Sequence, residues 1–538
     1  MELIHGCALS AAALVVVYLF YRWIVATHDY FKKRNVPAPK PYPVFGGLWP
    51  MFAGKMHAID AASEGYRLFP DARFSGFWTF RNPGYLIHDP ALVKQIAIKD
   101  FDHFTDHGNN VSPEVDPILG RSLFFMSGQR WKHGRSALSP AFTGSKMKNM
   151  FSLVSNYVEN AMLKLVNDAN GEKMEKEMKD LFQRLGSDVT TSISFGVETD
   201  SIHNPDNDFF INGKKMTTTS GFQGLKFLLM SLLPATCFTT FGFQITPRSV
   251  TEFFVNIVSK TIENRERNNI KRPDFIHLLT LARKNELKTD AISDTPLESA
   301  GFSTVEEHLA ASSGTVQWTD LDITAAVASF FFGGLETTTT LLCFAVYELT
   351  VNPDIQKKLR TEIDDTQRSM EDRKLTYETL QKMQYLDMVV SEALRRWSPA
   401  GLLNRKCIKE YTMEDFNGNR VTVERDQVIQ FPVKAIHLDP RYYPDPLRFD
   451  PERFSKERVR NIRQDAFLPF GSGPRNCIGS RLALMQCKCF LYFLFANFVV
   501  ELSERTDVPI KLDLRALGMQ TKSGFWFQLI PRRDTGDI

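Results

Sequence analysis

The run Phe470-Gly471-Ser472-Gly473-Pro474-Arg475-Asn476-Cys477-Ile478-Gly479 delivers one cysteine at the end of a tightly turned loop. Its glycines and proline favour a rigid turn, and Arg481-Leu482-Ala483-Leu484-Met485 then reads as helix, so the thiol stands just ahead of a helix start. Backbone N–H groups at such a place stabilise negative sulfur, and a nearby cation such as Arg475 lowers the thiol pKa further. A thiolate held in this way is available to a metal as a ligand. Most lone cysteines are core residues; the surround is what singles out Cys477.

The other cysteines are Cys7, Cys237, Cys343, Cys407, Cys487 and Cys489, so the total is odd and the spacing shows no disulfide framework. That usage suits a reduced, cytosolic main body. Cys487 and Cys489, two apart on a helix, point in different directions and make a poor zinc pair; they read as small buried hydrophobes.

Working back along the chain, Ala325 to Leu349 is a helix-length apolar pattern, capped at Thr319 or Asp320 and stopped before Asn352-Pro353. Gly333-Gly334 in its centre costs about 1 kcal/mol per glycine relative to alanine, and Glu336 with four threonines interrupts an apolar surface. Local chemistry there opposes helix propensity, as at functional sites. Alone, the pattern also fits helix packing with a stray surface carboxylate. Glu392-Ala393-Leu394-Arg395 sets opposite charges three residues apart on a helix, ordinarily a surface pair contributing at most ~1 kcal/mol. Trp131-Lys132-His133-Gly134-Arg135 places an indole donor and a guanidinium one turn apart, suited to clamping a carboxylate; His133, without partners, is not read as a metal ligand.

The chain has 538 residues, 43% hydrophobic and 24% charged, enough for a large core. Net charge is +3 with basic residues scattered, which does not suggest nucleic acid as a partner. From Leu3 to Tyr21 the sequence is apolar except for His5 and a few small residues, approaching the roughly 20 residues that cross ~30 Å of hydrocarbon. No basic stretch precedes it and no clear small-residue cleavage site follows, so it reads as an uncleaved single-pass anchor. Arg22, Lys32, Lys33 and Arg34 follow it and place the large body in the cytosol by the positive-inside rule, leaving the Asn110-Val111-Ser112 sequon unused. The expected organisation is an anchor over 1–26, a basic and proline-rich linker over 27–50, and one body over 51–538. Pro37-Ala38-Pro39-Lys40-Pro41-Tyr42-Pro43 is expected to be an extended, semi-rigid spacer.

Ala72 to Phe80 and Gly84 to His88 read as strands about the turn Arg81-Asn82-Pro83-Gly84, and Pro90-Ala91-Leu92 opens a helical pattern. Lys146 to Val166 and Phe253 to Leu281 are long helical stretches, and strands return near Val421 to Pro432 and Gly524 to Ile530. The expected fold is mainly α with small β-sheets. Phe227 to Phe243, interrupted by Pro234, fits helical pieces at a membrane surface and a plain core helix equally. Lys284 to Asp320 is polar and rich in Ser, Thr and Glu, a long connection.

The cysteine loop resembles, position by position, the haem-binding motif of the cytochrome P-450 superfamily, with Phe470, Gly471, Arg475, Cys477 and Gly479 at its defining places. Gly333-Gly334-Leu335-Glu336-Thr337-Thr338 is similar to that family's oxygen-binding motif, and Glu392 to Arg395 with Pro451-Glu452-Arg453-Phe454 to its charge network. The Trp131 motif resembles its propionate-binding helix. These elements occur in family order along nearly the whole chain. Phe332 to Thr340 and Leu138-Ser139-Pro140-Ala141-Phe142 look most like the microsomal clan that includes insect and vertebrate detoxification enzymes. Ser398-Pro399-Ala400 departs from many relatives' proline arrangement, beside the substrate.

The resemblance implies a P-450 fold, haem b (iron protoporphyrin IX) ligated by Cys477, with Phe470 packed beside the sulfur and Trp131, Arg135, Arg405 and Arg475 toward the propionates. Glu336 and Thr337 become the candidate proton-handling pair, and Glu392, Arg395 and Arg453 a structural network. It also implies insertion of one oxygen atom from O2 into a lipophilic small molecule, xenobiotic or endogenous, at the endoplasmic reticulum membrane. No dinucleotide-binding glycine motif is apparent, so electrons are expected from a separate NADPH-dependent flavoprotein reductase, with cytochrome b5 as a second partner. Lys488 is a candidate for that contact, against the commoner reading of a scattered surface lysine. Two rivals are a reductase-independent isomerase or dehydratase and a non-enzymatic membrane haem-binding protein; the Glu336-Thr337 pair argues against both. Phe125, Phe330 and Phe331 are candidates for a greasy pocket, although aromatics at helical spacing are more often core.

Overall fold

The computed structural model describes residues 2–108, 111–217, 235–242, 244–284, 302–304, 318–370, 374–516 and 518–532. Most of the Phe227 to Phe243 stretch, Asn110 of the sequon and most of the polar connection before Asp320 lie outside them. The chain forms two compact units, one of residues 1–108, 401–436 and 514–518, the other of 109–400, 437–513 and 519–538.

The first unit begins with helix α1 (Glu2–Val25), whose apolar residues from Leu14 to Trp23 are exposed and whose Ile24 is buried. Its sheet has the order β1-β2-β7-β4, with β1 (Phe74–Thr79) and β2 (Asn82–Ile87) antiparallel, β7 (Val428–Phe431) parallel to β2, and β4 (Leu403–Lys406) antiparallel to β7. The turn is tighter than expected: Phe80 and Arg81 make it, and Asn82 and Pro83 already pair with Thr79 and Trp78. β5 (Tyr411–Glu414) and β6 (Arg420–Val423) form a separate ribbon. The segment after α1 is folded onto this sheet. Ile24 and Phe31 are buried, and the Phe31 ring lies edge-on to Trp78 and Tyr85 at 4.7 and 5.3 Å. Gly76 of β1 is required by that approach, since a β-carbon there would enter the Phe31 ring. The proline run is no free arm: Pro37 O accepts the Gly76 N–H at 2.9 Å, Tyr42 and Gly46 close a turn around Pro43, and Gly46 pairs with Thr79.

In the second unit, helices α2 (Gly128–Leu138), α3 (Gly144–Ala169), α4 (Met178–Phe195), α5 (Arg248–Asn268), α6 (Phe275–Arg283), α7 (Asp320–Val351), α8 (Pro353–Ser369), α9 (Gln384–Arg396) and α10 (Ser480–Asn497) carry the architecture. A small sheet of order β3-β9-β8 joins Met174–Glu177, Trp526–Pro531 and Phe498–Leu502. The stretch expected as one helix from Phe253 to Leu281 is two, because Asn269 takes a left-handed conformation (φ 50°) that ends α5 before Pro273. Helix α7 starts where the cap signal put it: Thr319 Oγ1 accepts the Asp322 N–H and Asp322 Oδ2 accepts the Thr319 N–H, both at 3.1 Å. Its 32 residues run about 48 Å through the unit, packed on α4, α5, α9 and α10. Among the described residues α7 is the helix long and apolar enough to cross a membrane, and most of that window is buried, so it is a core helix. Phe331 is buried in a cluster with Phe195, Phe254 and Leu335, and Phe330 packs against Phe142 and Phe275; these rings build the core, as the commoner reading had it.

Candidate functional site

The loop ahead of α10 is locked by its own backbone. Gly471 N–H reaches Leu468 O at 3.1 Å, Asn476 N–H reaches Gly473 O at 2.9 Å, and Cys477 N–H returns to Phe470 O at 2.9 Å. Gly471 and Gly473 take φ of 78° and 74°, where a β-carbon is strained, which is why glycine stands at both. From Phe470 to Gly479 every residue is buried or half-buried except Cys477, which is exposed.

Helix α2 supports the loop from the side. Arg135 donates through Nη1 to Asn476 O at 2.9 Å and through Nη2 to Asn476 Oδ1 at 2.6 Å, gripping both ends of the residue before Cys477. Arg475 reaches the other way, donating to Met126 O at 2.7 Å and Leu123 O at 3.2 Å, with its guanidinium 4.0 Å over the Trp131 ring. The structure thus brings Trp131, Arg135, Arg475 and Cys477 together, with both cations buried. The thiol itself sits above its ordinary pKa: surrounding protein displaces water and pushes it up, while the Gly479 N–H and Arg135 pull it down. The expected lowering by Arg475 is replaced by Arg135, because the Arg475 guanidinium turns away to carbonyls of the segment before α2.

Beneath the loop lies the charge network. Arg395 forks onto Glu392 with Nε–Oε2 at 2.7 Å and Nη2–Oε1 at 2.8 Å, Arg453 Nε stands 3.4 Å from the same carboxylate, and the Asp450 N–H donates to it at 2.9 Å. Glu392 and Arg395 are fully buried, so the surface-pair reading is excluded here. Arg395 Nη1 donates to His437 O at 2.8 Å, while the His437 ring bonds Arg395 O through Nδ1 and takes the Leu468 N–H on Nε2. Those contacts fix the neutral Nδ1–H tautomer, and burial with the Arg395 charge lowers its pKa to about 3. His437 and Asn476 were missed as site-building residues: His437 acquires its role only in tertiary contact, and Asn476 sits within the quoted motif with nothing in its spacing to mark it.

In the middle of α7 the exposed positions are Gly333 and Thr337, one turn apart, with Ser329 half-buried a turn before. Thr337 Oγ1 donates back to Gly333 O at 2.6 Å, and a β-carbon on Gly333 or Gly334 would meet nothing within 4 Å. Thr338, Thr339 and Thr340 are buried, so one hydroxyl of the four faces outward. Glu336 lies off that stripe and is held by α4, with Lys179 Nζ at 3.2 Å and Gln183 Nε2 at 2.9 Å. Ile478, next to Cys477, packs on the same apolar cluster as Phe331 and Leu335 of α7.

Arg405 belongs to the first unit, on β4. It is buried and its Nη1 donates to Asn404 O at 2.7 Å, while its Nε has no hydrogen-bond partner; burial lowers its pKa to about 10. Lys488 is neither a docking residue nor a scattered surface lysine: it is fully buried on α10 and paired with Asp387 at 2.6 Å. An open surface depression lined by Lys358, Glu362, Asp365, Tyr385 and Glu452 shares no residue with the cysteine loop. Cys487 and Cys489 are buried hydrophobes as expected, burial pushing the Cys487 thiol up to about 12.

A family model described as Cytochrome P450 matches residues 36–527. The chain is 38% identical over 533 residues to Cytochrome P450 9e2 of Blattella germanica, covering 96% of both proteins. It is 37% identical to Probable cytochrome P450 9f2 of Drosophila melanogaster, over 96% of this chain and 97% of the relative, and 33% identical to Cytochrome P450 3A9 of Rattus norvegicus, over 99% of both.

Proposed function

The chain belongs to the cytochrome P450 family and is a haem-thiolate monooxygenase, and from that premise we propose that Cys477 would hold the iron of haem b through its sulfur and that lipophilic small molecules are its substrates. The carrying observation is the exposure of Cys477 alone within a loop otherwise buried or half-buried and locked by its own hydrogen bonds. The residues suit the group: a cysteine sulfur presented by fixed backbone, two buried cations beside it, and a glycine-lined helix face with room at its surface. When bound, a thiolate-ligated haem activates dioxygen, the thiolate donating electron density that favours O–O cleavage.

The chain's own residues divide the remaining work. Arg135 and the loop backbone hold the sulfur's position through Asn476 and Phe470. Arg475, Arg135 and Trp131 supply positive charge and a donor for propionates; Arg405 is proposed for the same class of anion on its chemistry alone, a buried guanidinium with a spare Nε–H. Gly333 and Gly334 keep the α7 face low, and Thr337 holds its proton on Gly333 O, a neutral hydroxyl ready to turn outward. Glu336 supplies protons from the Lys179 side, and must leave that ion pair to do so. Electrons come from an NADPH-dependent flavoprotein reductase, with cytochrome b5 as a second donor. The apolar α1 anchors the protein in the endoplasmic reticulum membrane, its end fixed to the body by Ile24 and Phe31.

The test is the carbon monoxide difference spectrum of the reduced, full-length protein beside that of Cys477→Ala. A strongly red-shifted Soret band that disappears in the variant is the expected result; a band unaffected by the substitution refutes the ligand assignment.

A further inference from the structure

The end of α6 and the start of α7 are tied together, Arg283 Nη1 meeting Asp320 Oδ1 at 2.6 Å. A point midway is tied elsewhere. Phe302 donates its backbone N–H to Asp387 Oδ2 at 3.0 Å, and Ser303 Oγ lies 2.8 Å from Ser391 Oγ. The Phe302 ring packs at 5.0 Å from Phe454 and 5.3 Å from Phe467. Asp387 and Ser391 are one turn apart on α9, so one helix face offers a carboxylate and a hydroxyl beside an aromatic slot. Ser303 is buried there. Burying a serine and half-burying an aromatic ring from a long connection is unusual for a segment that merely links two helices.

What the seat touches gives it a consequence. The other oxygen of Asp387 holds Lys488 of α10, the helix that follows Cys477. Phe467 also packs on Phe454, beside Arg453, and stacks on His437 at 5.5 Å. His437 takes the Leu468 N–H, and two residues on, Phe470 O receives the Cys477 N–H. Phe302 therefore packs on the aromatic block that flanks His437, the residue that links the Glu392 network to the segment carrying the cysteine loop.

We propose that Phe302 and Ser303 form an intramolecular anchor, a Phe–Ser dipeptide seated in a site built from Asp387, Ser391, Phe454 and Phe467, and that the seat positions the 466–470 segment carrying the Cys477 loop. The effect on the thiolate rests on the haem-ligand reading; the seat does not. The test is hydrogen exchange on the full-length haem protein for wild type, Phe302→Ala and Phe302→Tyr, with the reduced carbon monoxide spectrum recorded on the same samples. The Leu468 amide should exchange about tenfold faster in F302A and near the wild-type rate in F302Y. Excess synthetic peptide of residues 298–308 should restore protection in F302A, and the red-shifted band of F302A should decay sooner than that of wild type. Unchanged exchange in folded F302A, acceleration in F302Y equal to that in F302A, or protection that the peptide does not restore overturns the anchor. Should F302A fail to fold, Ser303→Ala, which removes only the Ser391 contact, is read by the same exchange criterion. Accelerated exchange in F302A with no red-shifted band even in wild type would leave the seat standing and remove the haem-ligand reading.

Discussion

Glu392 and Glu336 both stand on helices of the second unit and both meet a cation, yet they are held in opposite ways. Glu392 is fully buried and gripped by two arginines and a backbone N–H. Glu336 keeps 28% of its side chain exposed and meets one lysine and one glutamine across a helix interface. The same contrast holds for their surroundings: the cysteine loop is over-determined by hydrogen bonds, whereas the Gly333–Thr337 turn has open space where side chains are missing. The cysteine-loop region is built not to move. The Gly333–Thr337 face is built small, at a cost in helix stability, with a charge that can be withdrawn.

The sharpest way to break this comparison is Glu392→Ala, which strands the buried Arg395 and Arg453. Removing one partner of a buried ion pair costs about 3–5 kcal/mol, so the denaturation midpoint should fall steeply or the protein fail to accumulate. Arg395→Lys in the otherwise intact protein should also be destabilising, because an ammonium cannot make the two-pronged contact with Glu392 and still reach His437 O. A loss below ~1 kcal/mol for Glu392→Ala would place the pair with ordinary surface contacts.

Next in size is the pH dependence of the same block. His437 is neutral in the folded protein with its pKa lowered from 6.5 to about 3, so the unfolded chain takes up a proton there that the native state refuses. Stability from this group is full above pH 6.5 and is lost as pH falls toward 3, by about 2 kcal/mol at pH 5. Denaturant titrations at pH 7 and pH 5 should show that slope, and His437→Gln should flatten it even though it lowers stability at pH 7. An unchanged slope would mean that another group governs the acid limb.

The two regions also differ in how far the sequence revealed them. The cysteine loop was legible because its constraints are local: Gly471 and Gly473 need left-handed backbone; the start of α7 was legible likewise, from a cap read at Thr319 or Asp320 that the structure places at Thr319. Glu392 and Arg395 were legible as a pair but not as a buried one, since burial depends on the chain returning at His437 and Asp450. Lys488 was misjudged for the same reason: one lysine in an apolar helix looks exposed until Asp387 of α9 is set beside it. β3, whose Met-Glu-Lys-Glu sequence has no alternation of apolar residues, exists because β9 pairs with it. Phe302 lay in a stretch read as mere connection, and its seat depends on residues 85 and more positions away.

On the α7 side the effects should be smaller and of the other sign. Gly333→Ala should raise stability by about 1 kcal/mol, since helix propensity improves and the new methyl meets nothing within 4 Å. If that face receives dioxygen and substrate, turnover should nevertheless fall about tenfold from displacement of the reacting groups. Thermal midpoints and reductase-driven turnover measured together separate the two effects, and a stabilised variant with unaltered turnover would remove the Gly333 face from the reaction.

Glu336→Gln should have the least effect on folding, below ~1 kcal/mol, because the pair with Lys179 is partly solvated and screened. Its informative readout is the fraction of consumed oxygen that appears in product. A carboxylate that supplies protons is lost in Glu336→Gln but kept in Lys179→Met, which frees it from its ion pair. Coupling should therefore drop in the first variant and hold or improve in the second. If both variants lose coupling alike, Glu336 serves as a strut between α7 and α4. The proton supply would then rest on Thr337 alone, and the withdrawable charge that distinguishes this face from the cysteine loop would disappear with it.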